Sequence, residues 1–198
     1  DSFTAAAGSA TNDGLTTLTP AASVSAFARF LTPGDTVFID AGSYVDKFSI
    51  ETDAITVLGV DSATTILDYN DSSGGTAAVG IAADSVATLL IRNLGIRNAY
   101  YGVQLTNVDN STIEDVAVSF AGQLGFYLTA GCEDNTVNRT AATGVDGSGY
   151  YLNAVARQTL TANRALDNVS GTGYGFNFND ADSNALTGNT AAGNSQAG

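Results

Sequence analysis

The sequence contains no histidine, methionine or tryptophan, one cysteine (Cys132), two prolines and one lysine (Lys47). A single cysteine rules out an internal disulfide. Without histidine there is no imidazole for general acid–base chemistry near neutral pH and none to ligate a metal. No stretch approaches the roughly 18 apolar residues of a membrane-spanning helix. Basic residues number only 7 against 20 acidic ones, for a net charge of −13. That balance argues against nucleic acid and against an anionic membrane surface, both of which need clustered Lys and Arg. Charged residues make up 14% of the chain, well below the usual quarter. Ala, Gly, Ser, Thr and Asn take their place, residues that suit tight turns and stacked strands. The hydrophobic fraction of 44% is that of a folded protein. No leader precedes Asp1, a start expected of either a mature secreted protein or an excised fragment.

What the chain does have is a repeat. Gly102-Val-Gln-Leu105, Gly125-Phe-Tyr-Leu128, Gly149-Tyr-Tyr-Leu152 and Gly175-Phe-Asn-Phe178 follow one another at spacings of 23, 24 and 26, and Gly80-Ile81 lies 22 residues earlier. A second series, Ile91, Ile113, Val137, Leu160 and Leu186, is spaced 22, 24, 23 and 26, and a third, Ile96, Val118, Ala142, Ala165 and Ala191, has the same four spacings. Shared irregularity means that insertions fall between repeats and not inside them. Alternate residues within each segment are apolar, the period of a strand. A unit this short cannot bury its own apolar face, but stacked units bury a continuous one. The expected fold is therefore an all-β, right-handed parallel β-helix. Val103, Phe126, Tyr150 and Phe176 form one inward stack and Leu105, Leu128, Leu152 and Phe178 the next. The glycine opening each segment is read as a turn residue that tolerates positive φ.

The N-terminal part reads differently. Residues 21–31 place Val24, Phe27, Ala28 and Leu31 at helical spacing. Thr19 or Ser23 offers a cap, Pro20 a first turn and Pro33-Gly34 a stop. We expect an amphipathic helix there, covering the open end of the solenoid. Strands are expected at 36–39, 47–50, 55–58 and 65–67. The domain plan is an N-terminal extension over 1–14, usable as a pairing or donor strand, and one β-helix over 15–198, with regular rungs from about 80.

Thr32-Pro-Gly-Asp-Thr-Val-Phe-Ile39, Ala41-Gly-Ser-Tyr44, Ile55-Thr-Val-Leu-Gly59 and Thr64-Thr-Ile-Leu-Asp68 resemble the opening of pectin-lyase-like β-helix proteins. The later rungs resemble carbohydrate-binding and sugar-hydrolase repeats, including NosD-type periplasmic proteins. The resemblance covers residues 15–198 and implies the fold. It does not imply one activity, because the superfamily hosts lyases, esterases, hydrolases, epimerases and non-catalytic scaffolds. The polygalacturonase-type Gly-His-Gly element is absent. Tyr174-Gly-Phe-Asn-Phe-Asn179 follows the epimerase-type element for three residues only, with Asn177 and Asn179 where that element has its acid and its histidine. Copper delivery, the context of NosD-type proteins, normally uses His and Met, and this chain has neither.

Three sets of candidate site residues remain. Glu114, Asp115 and Arg139 form the best esterase-like constellation; because Asp115 and Arg139 lie 24 residues apart, a cross-rung ion pair is the competing reading. Arg92 falls near the same face. Asp109, Asp134 and Asp182 lie in oxygen-rich segments between the first and second strands of a rung, where Ca²⁺ binding competes with solvated Asx turns. Tyr127 and Tyr151 point outward on neighbouring rungs, placed to stack on a sugar or on each other. Cys132 reads as a small turn or core residue.

Thr4-Ala-Ala-Ala-Gly8 resembles Thr140-Ala-Ala-Thr-Gly144 and Thr190-Ala-Ala-Gly193. Strand donation from Phe3, Thr4, Ala5 and Ala6 of one copy onto Thr190, Ala191 and Ala192 of another would build a head-to-tail filament. The leading expectation is thus a secreted or cell-surface, non-catalytic β-helix that associates with itself and needs no cofactor beyond a possible Ca²⁺. The alternative is a polysaccharide-binding or polysaccharide-active module.

Overall fold

A computed structural model describes residues 9, 11, 14, 16, 18–69, 78–169, 171 and 173–196. Every strand pairing within it is parallel. The chain winds as a right-handed β-helix with two sheets. The six-stranded sheet stacks Phe48–Ile50, Val79–Asp84, Tyr101–Thr106, Leu124–Thr129, Tyr150–Ala156 and Phe176–Asp182. The twelve-stranded sheet bends around a corner, so each turn of the chain contributes to it on both sides of the bend.

All three inward series predicted from spacing are the observed registers. Val103 pairs with Phe126, Phe126 with Tyr150, and Tyr150 with Phe176. The rings of Phe126, Tyr150 and Phe176 stack at 4.8 and 4.6 Å within 11° of parallel. Ile91–Ile113–Val137–Leu160–Leu186 and Ile96–Val118–Ala142–Ala165–Ala191 line the other two walls. The core is one continuous column of these residues. At the last described rung Phe178 and Leu186 are partly uncovered, and Thr190–Ala192 is an exposed edge strand.

Positive-φ residues mark the corners. Asn93, Asp115, Arg139, Ala162 and Gly188 occupy one corner, Thr88, Asn110, Asp134, Arg157 and Ser183 a second, and Asn98, Phe120, Gly144, Asp167 and Gly193 a third. Asn, Asp and Gly suit this region; a bulky Phe does not. Phe120 holds φ at 55° with its ring 63% exposed. Phe120→Asn is therefore expected to raise stability by about 1 kcal/mol, read as a higher urea midpoint; a lower midpoint would mean that the ring's contact with Gly144 outweighs the strain.

The residue after each corner points inward, and its chemistry changes along the solenoid. Early rungs place Leu89, Leu94 and Ala99 there, later ones Gln158, Asn163 and Asn168, then Asn184, Asn189 and Asn194. Each asparagine oxygen accepts the backbone N–H of the equivalent residue one rung earlier, whereas Gln158 instead donates Nε2 to the Cys132 and Ala156 carbonyls. Asn163 Oδ1 accepts from Thr140 N at 3.0 Å, Asn168 Oδ1 from Val145 N at 3.0 Å and Asn189 Oδ1 from Asn163 N at 2.9 Å. Where Leu94 and Val116 fill the corner, one strand runs straight through it (Leu90–Arg97, Thr112–Ser119). Where Thr140, Asn163 and Asn189 fill it, the strand divides in two, as in Thr136–Asn138 and Ala141–Thr143. There the side-chain amide takes over the backbone's hydrogen bond.

Two expectations need correction. The helix expected over 21–31 forms a single turn, Ser25–Ala28, packed against Phe48–Ile50. Asp46 organises its start, accepting from Ser25 N at 2.9 Å and from Ser23 Oγ at 2.7 Å. After it, Thr32 N donates to Asp35 Oδ2 in a turn that leads into Thr36–Ile39. The glycines that open the rungs do not have positive φ. They are glycine for space: a Cβ on Gly102 would lie 2.4 Å from Val118 Cγ1, and one on Gly125 would lie 2.4 Å from the Gly149 carbonyl oxygen.

Candidate functional site

The outer face of the six-stranded sheet carries two parallel columns. One runs Ala82, Gln104, Tyr127, Tyr151, Asn177; the other runs Asp84, Thr106, Thr129, Asn153, Asn179. Strand alternation puts Tyr127 and Tyr151 outward as expected, while Tyr150 lies fully buried beside them. Their rings stack at 5.5 Å and 8°, and Tyr101 leans on Tyr127 at 5.4 Å and 53°. One face of each stacked ring is thus used by its neighbour, and the edges and hydroxyls remain available. In the second column Asn153 Nδ2 donates to Thr129 Oγ1 at 3.3 Å and Asn179 Nδ2 to Asn153 Oδ1 at 2.6 Å.

A shallow, open depression of about 220 Å³ runs along the tyrosine column, lined by Tyr101, Gln123, Leu124, Tyr127, Gly147, Ser148, Tyr151 and Asn177. It is smaller than the roughly 300–1,000 Å³ of enclosed ligand pockets, and suits a short stretch of an extended ligand. Gln123, Gly147 and Ser148 come from the segments leading into Leu124–Thr129 and Tyr150–Ala156. Spacing arguments found Tyr127 and Tyr151 but not these wall residues, which lie in the variable inter-strand segments.

Glu114, Asp115 and Arg139 do meet, but elsewhere. They sit at the bend of the twelve-stranded sheet and none lines the depression. Arg139 Nε and Nη2 donate to Asp115 at 2.9 and 2.8 Å, and Nη2 also reaches Glu114. Arg92 Nε lies 3.3 Å from Glu114 and 3.6 Å from Asp115 on the other side. The Arg139 guanidinium holds the Asp115 carboxyl below its ordinary range. Both acids are thus clamped between cations as ion pairs across three rungs. With these side chains partly exposed, Arg139→Gln is expected to lower the urea midpoint only slightly at neutral pH and low salt. Because the folded-state pKa of Asp115 is depressed, this contribution is present above the carboxylate's unfolded pKa and is lost as pH falls through the folded value. Unfolding midpoints of the two proteins should therefore converge in acid and in high salt; a gap of several kcal/mol that persists there would contradict the ion-pair account.

The three aspartates proposed for Ca²⁺ do not share one column. Asp109 pairs with Glu133, and Glu133 with Ala156, which is opposite Asp182. Asp134 lies one residue on, at the corner, held by Arg157 at 2.8 Å. Asp109 Oδ1 accepts Glu133 N at 2.8 Å, an Asx contact between rungs. Among the described residues no three His, Cys, Asp or Glu side chains are grouped to hold a metal ion.

Parallel turns, stacked inward ladders and a polar, aromatic-lined outer face define a β-helix of the pectin-lyase-like class. The family model described as "Periplasmic copper-binding protein (NosD)" matches residues 32–198, and the chain belongs to that family. Among solved structures it is similar to a glycosyl hydrolase candidate from Parabacteroides merdae ATCC 43184 (14% identity, 80% of this chain and 83% of the other, TM-score 0.61). It is also similar to pectin methylesterase PemA from Erwinia chrysanthemi (14%, 97% and 67%, TM-score 0.57). A third similar structure is the catalytic domain of an α-1,3-glucanase in complex with nigerose (12%, 81% and 35%, TM-score 0.57). At these identities the likeness is one of fold. No curated protein sequence matches.

The family's name raises copper, and the donor set of this chain does not fit it. Copper sites draw on imidazole, thiolate and thioether groups. The chain has no His or Met. Its one thiol, Cys132, is fully buried, accepts Val108 N–H at 3.3 Å and donates to the Thr129 carbonyl at 3.1 Å. Burial pushes that thiol's pKa up, away from the thiolate that would bind a metal.

Proposed function

We propose that this chain is a carbohydrate-binding β-helix module acting outside the cytoplasm, with the tyrosine-lined depression as its binding face. The observation that carries the reading is the juxtaposition of Tyr101, Tyr127 and Tyr151 with the amides of Gln123 and Asn177 in one open groove. Aromatic surface receives the C–H faces of a sugar, and amides and phenols exchange hydrogen bonds with its hydroxyls. Groove residues that act as carboxyl or imidazole catalysts are not part of the lining, so the reading is binding and not cleavage. The family's periplasmic description and the sugar-active proteins of similar fold support it.

A glycan array probed with the whole chain tests this. The double variant Tyr127→Ala, Tyr151→Ala is expected to lose retention by roughly tenfold or more while its circular dichroism stays that of the parent. Undiminished retention would remove the groove from the reading.

A second reading is head-to-tail association through Thr190, Ala191 and Ala192 of the last described rung. An unpaired parallel edge accepts a further strand. Its proposed donors Phe3, Thr4, Ala5 and Ala6 lie outside the described residues. Nearby, Ser9 pairs in parallel with Ala21 of its own chain, and Ser9 N donates to the Pro20 carbonyl at 3.0 Å. Sedimentation and electron microscopy across concentration decide it: filaments support association, and monomers at every concentration exclude it.

A further inference from the structure

We infer that the depression takes an uncharged saccharide, one without carboxylate, sulfate or amine groups; this rests on the carbohydrate reading of the same face. The six strands that build the sheet contain no Lys, Arg or Glu, and their three aspartates, Asp84, Asp180 and Asp182, lie outside the lining. The groove's polar groups are three phenols, two amides and one hydroxyl. Burial pushes the Tyr101 phenol up, so it stays a neutral donor. In the adjoining column Thr106, Thr129, Asn153 and Asn179 are neutral, and the one acid, Asp84, stands at its early end.

An anionic sugar would have to lay its carboxylates against this wall with no cation to receive them, and an unpaired charge is costly to desolvate. Arg92, Arg139 and Arg157 are already committed to Glu114, Asp115, Glu133 and Asp134. Asp146, exposed beside Gly147 of the lining, and the net charge of −13 add repulsion. A cationic sugar would meet no carboxylate in the lining itself, and the attraction of Asp146 and of the net charge acts from outside the groove, where salt screens it. Hydroxyls, by contrast, both donate and accept, as do the amides of Gln123 and Asn177.

The stacking geometry also fixes where the ring sits. Tyr127 and Tyr151 cover each other's facing surfaces. In the next rung the column continues with Asn177 instead of an aromatic. The remaining face of Tyr151 is therefore the platform for one pyranose, within reach of the Asn177 amide.

The test uses the whole chain on immobilised uncharged glucans, mannans and galactans, on polygalacturonate and alginate, on a sulfated glycan and on chitosan. Retention on an uncharged glycan is expected, unchanged between about 0.05 M and about 0.5 M NaCl, where screening would erase ionic attraction. Tyr151→Ala and Asn177→Ala should each weaken it severalfold, with parental circular dichroism. Retention on charged glycans alone, or uncharged binding that falls with salt, overturns this inference and leaves the carbohydrate reading standing. Retention on none of them overturns both.

Discussion

Gly125→Ala is expected to be among the most damaging single-methyl changes at the described glycines. The added Cβ would lie 2.4 Å from the Gly149 carbonyl oxygen and 2.8 Å from Ala142 Cβ. Neither obstacle is the free end of a flexible side chain. Gly149 O accepts Phe126 N at 2.9 Å and belongs to the ladder that sets the rung spacing, and Ala142 has no rotamer to change. Relief requires the two rungs to separate, which weakens every bond between them. Overpacking a core typically costs about 1–3 kcal/mol; here backbone must move, so a loss of ~3 kcal/mol or more is expected in urea unfolding. Gly122→Ala is the control. Its nearest neighbour would be Tyr100 Cδ2 at 3.6 Å, an ordinary contact, and its effect should stay within ~0.5 kcal/mol. If Gly125→Ala is as mild as Gly122→Ala, the close-approach account of the rung glycines fails.

The second large effect is expected at Asn163. This fully buried side chain accepts from Thr140 N and Thr140 Oγ1 at 3.0 and 2.9 Å and donates to the Val137 carbonyl at 2.8 Å. Asn163→Ala removes three hydrogen bonds to the preceding rung; Thr140 Oγ1 keeps the Tyr150 hydroxyl at 2.8 Å, while Thr140 N and the Val137 carbonyl lose the amide in a space where water has poor access. At about 1–3 kcal/mol for each unsatisfied group, a total near ~4 kcal/mol is expected, a large share of ordinary domain stability. Asn163→Asp should be as damaging at neutral pH, because the carboxylate cannot donate to Val137 and its charge is buried. Asn194→Ala, at a partly open position, should cost clearly less. A loss at Asn163 below ~1 kcal/mol would mean that water enters and replaces the amide.

These two positions also show where sequence reasoning stops. The registers were legible because three independent apolar series vary in spacing together, so an error of one residue would have turned a whole column to solvent. The same parity put Tyr127 and Tyr151 outside and Tyr150 inside. The purpose of the glycines was not legible. Positive φ and close approach both select glycine, and only the position of Val118 or Gly149 separates them. Asparagine at a corner is likewise ambiguous, since Asx side chains serve solvated turns as readily as interior bonds. A usable signal was present: Gln158, Asn163 and Asn168 recur every five residues, as do Asn184, Asn189 and Asn194, each directly after a corner residue. The N-terminal helix was misjudged in length because apolar spacing gives a face but not a boundary, and the Asp46 and Asp35 turns that bound it are tertiary and local contacts the pattern does not reveal.

The amide corners give the solenoid a direction. Asn163, Asn168, Asn189 and Asn194 each serve the rung before their own. Each of Asn163, Asn189 and Asn194 also donates its amide N–H to a carbonyl of that earlier rung, so both ends of the side chain tie a rung to its predecessor. The late turns are thus joined by hydrogen bonds from inward side-chain amides that the early turns, with Leu89, Leu94 and Ala99 at the same positions, do without. Backbone proton exchange should report the difference: the Thr140 N–H, held by Asn163, is expected to exchange faster in Asn163→Ala than in the parent, with no such change at Leu94.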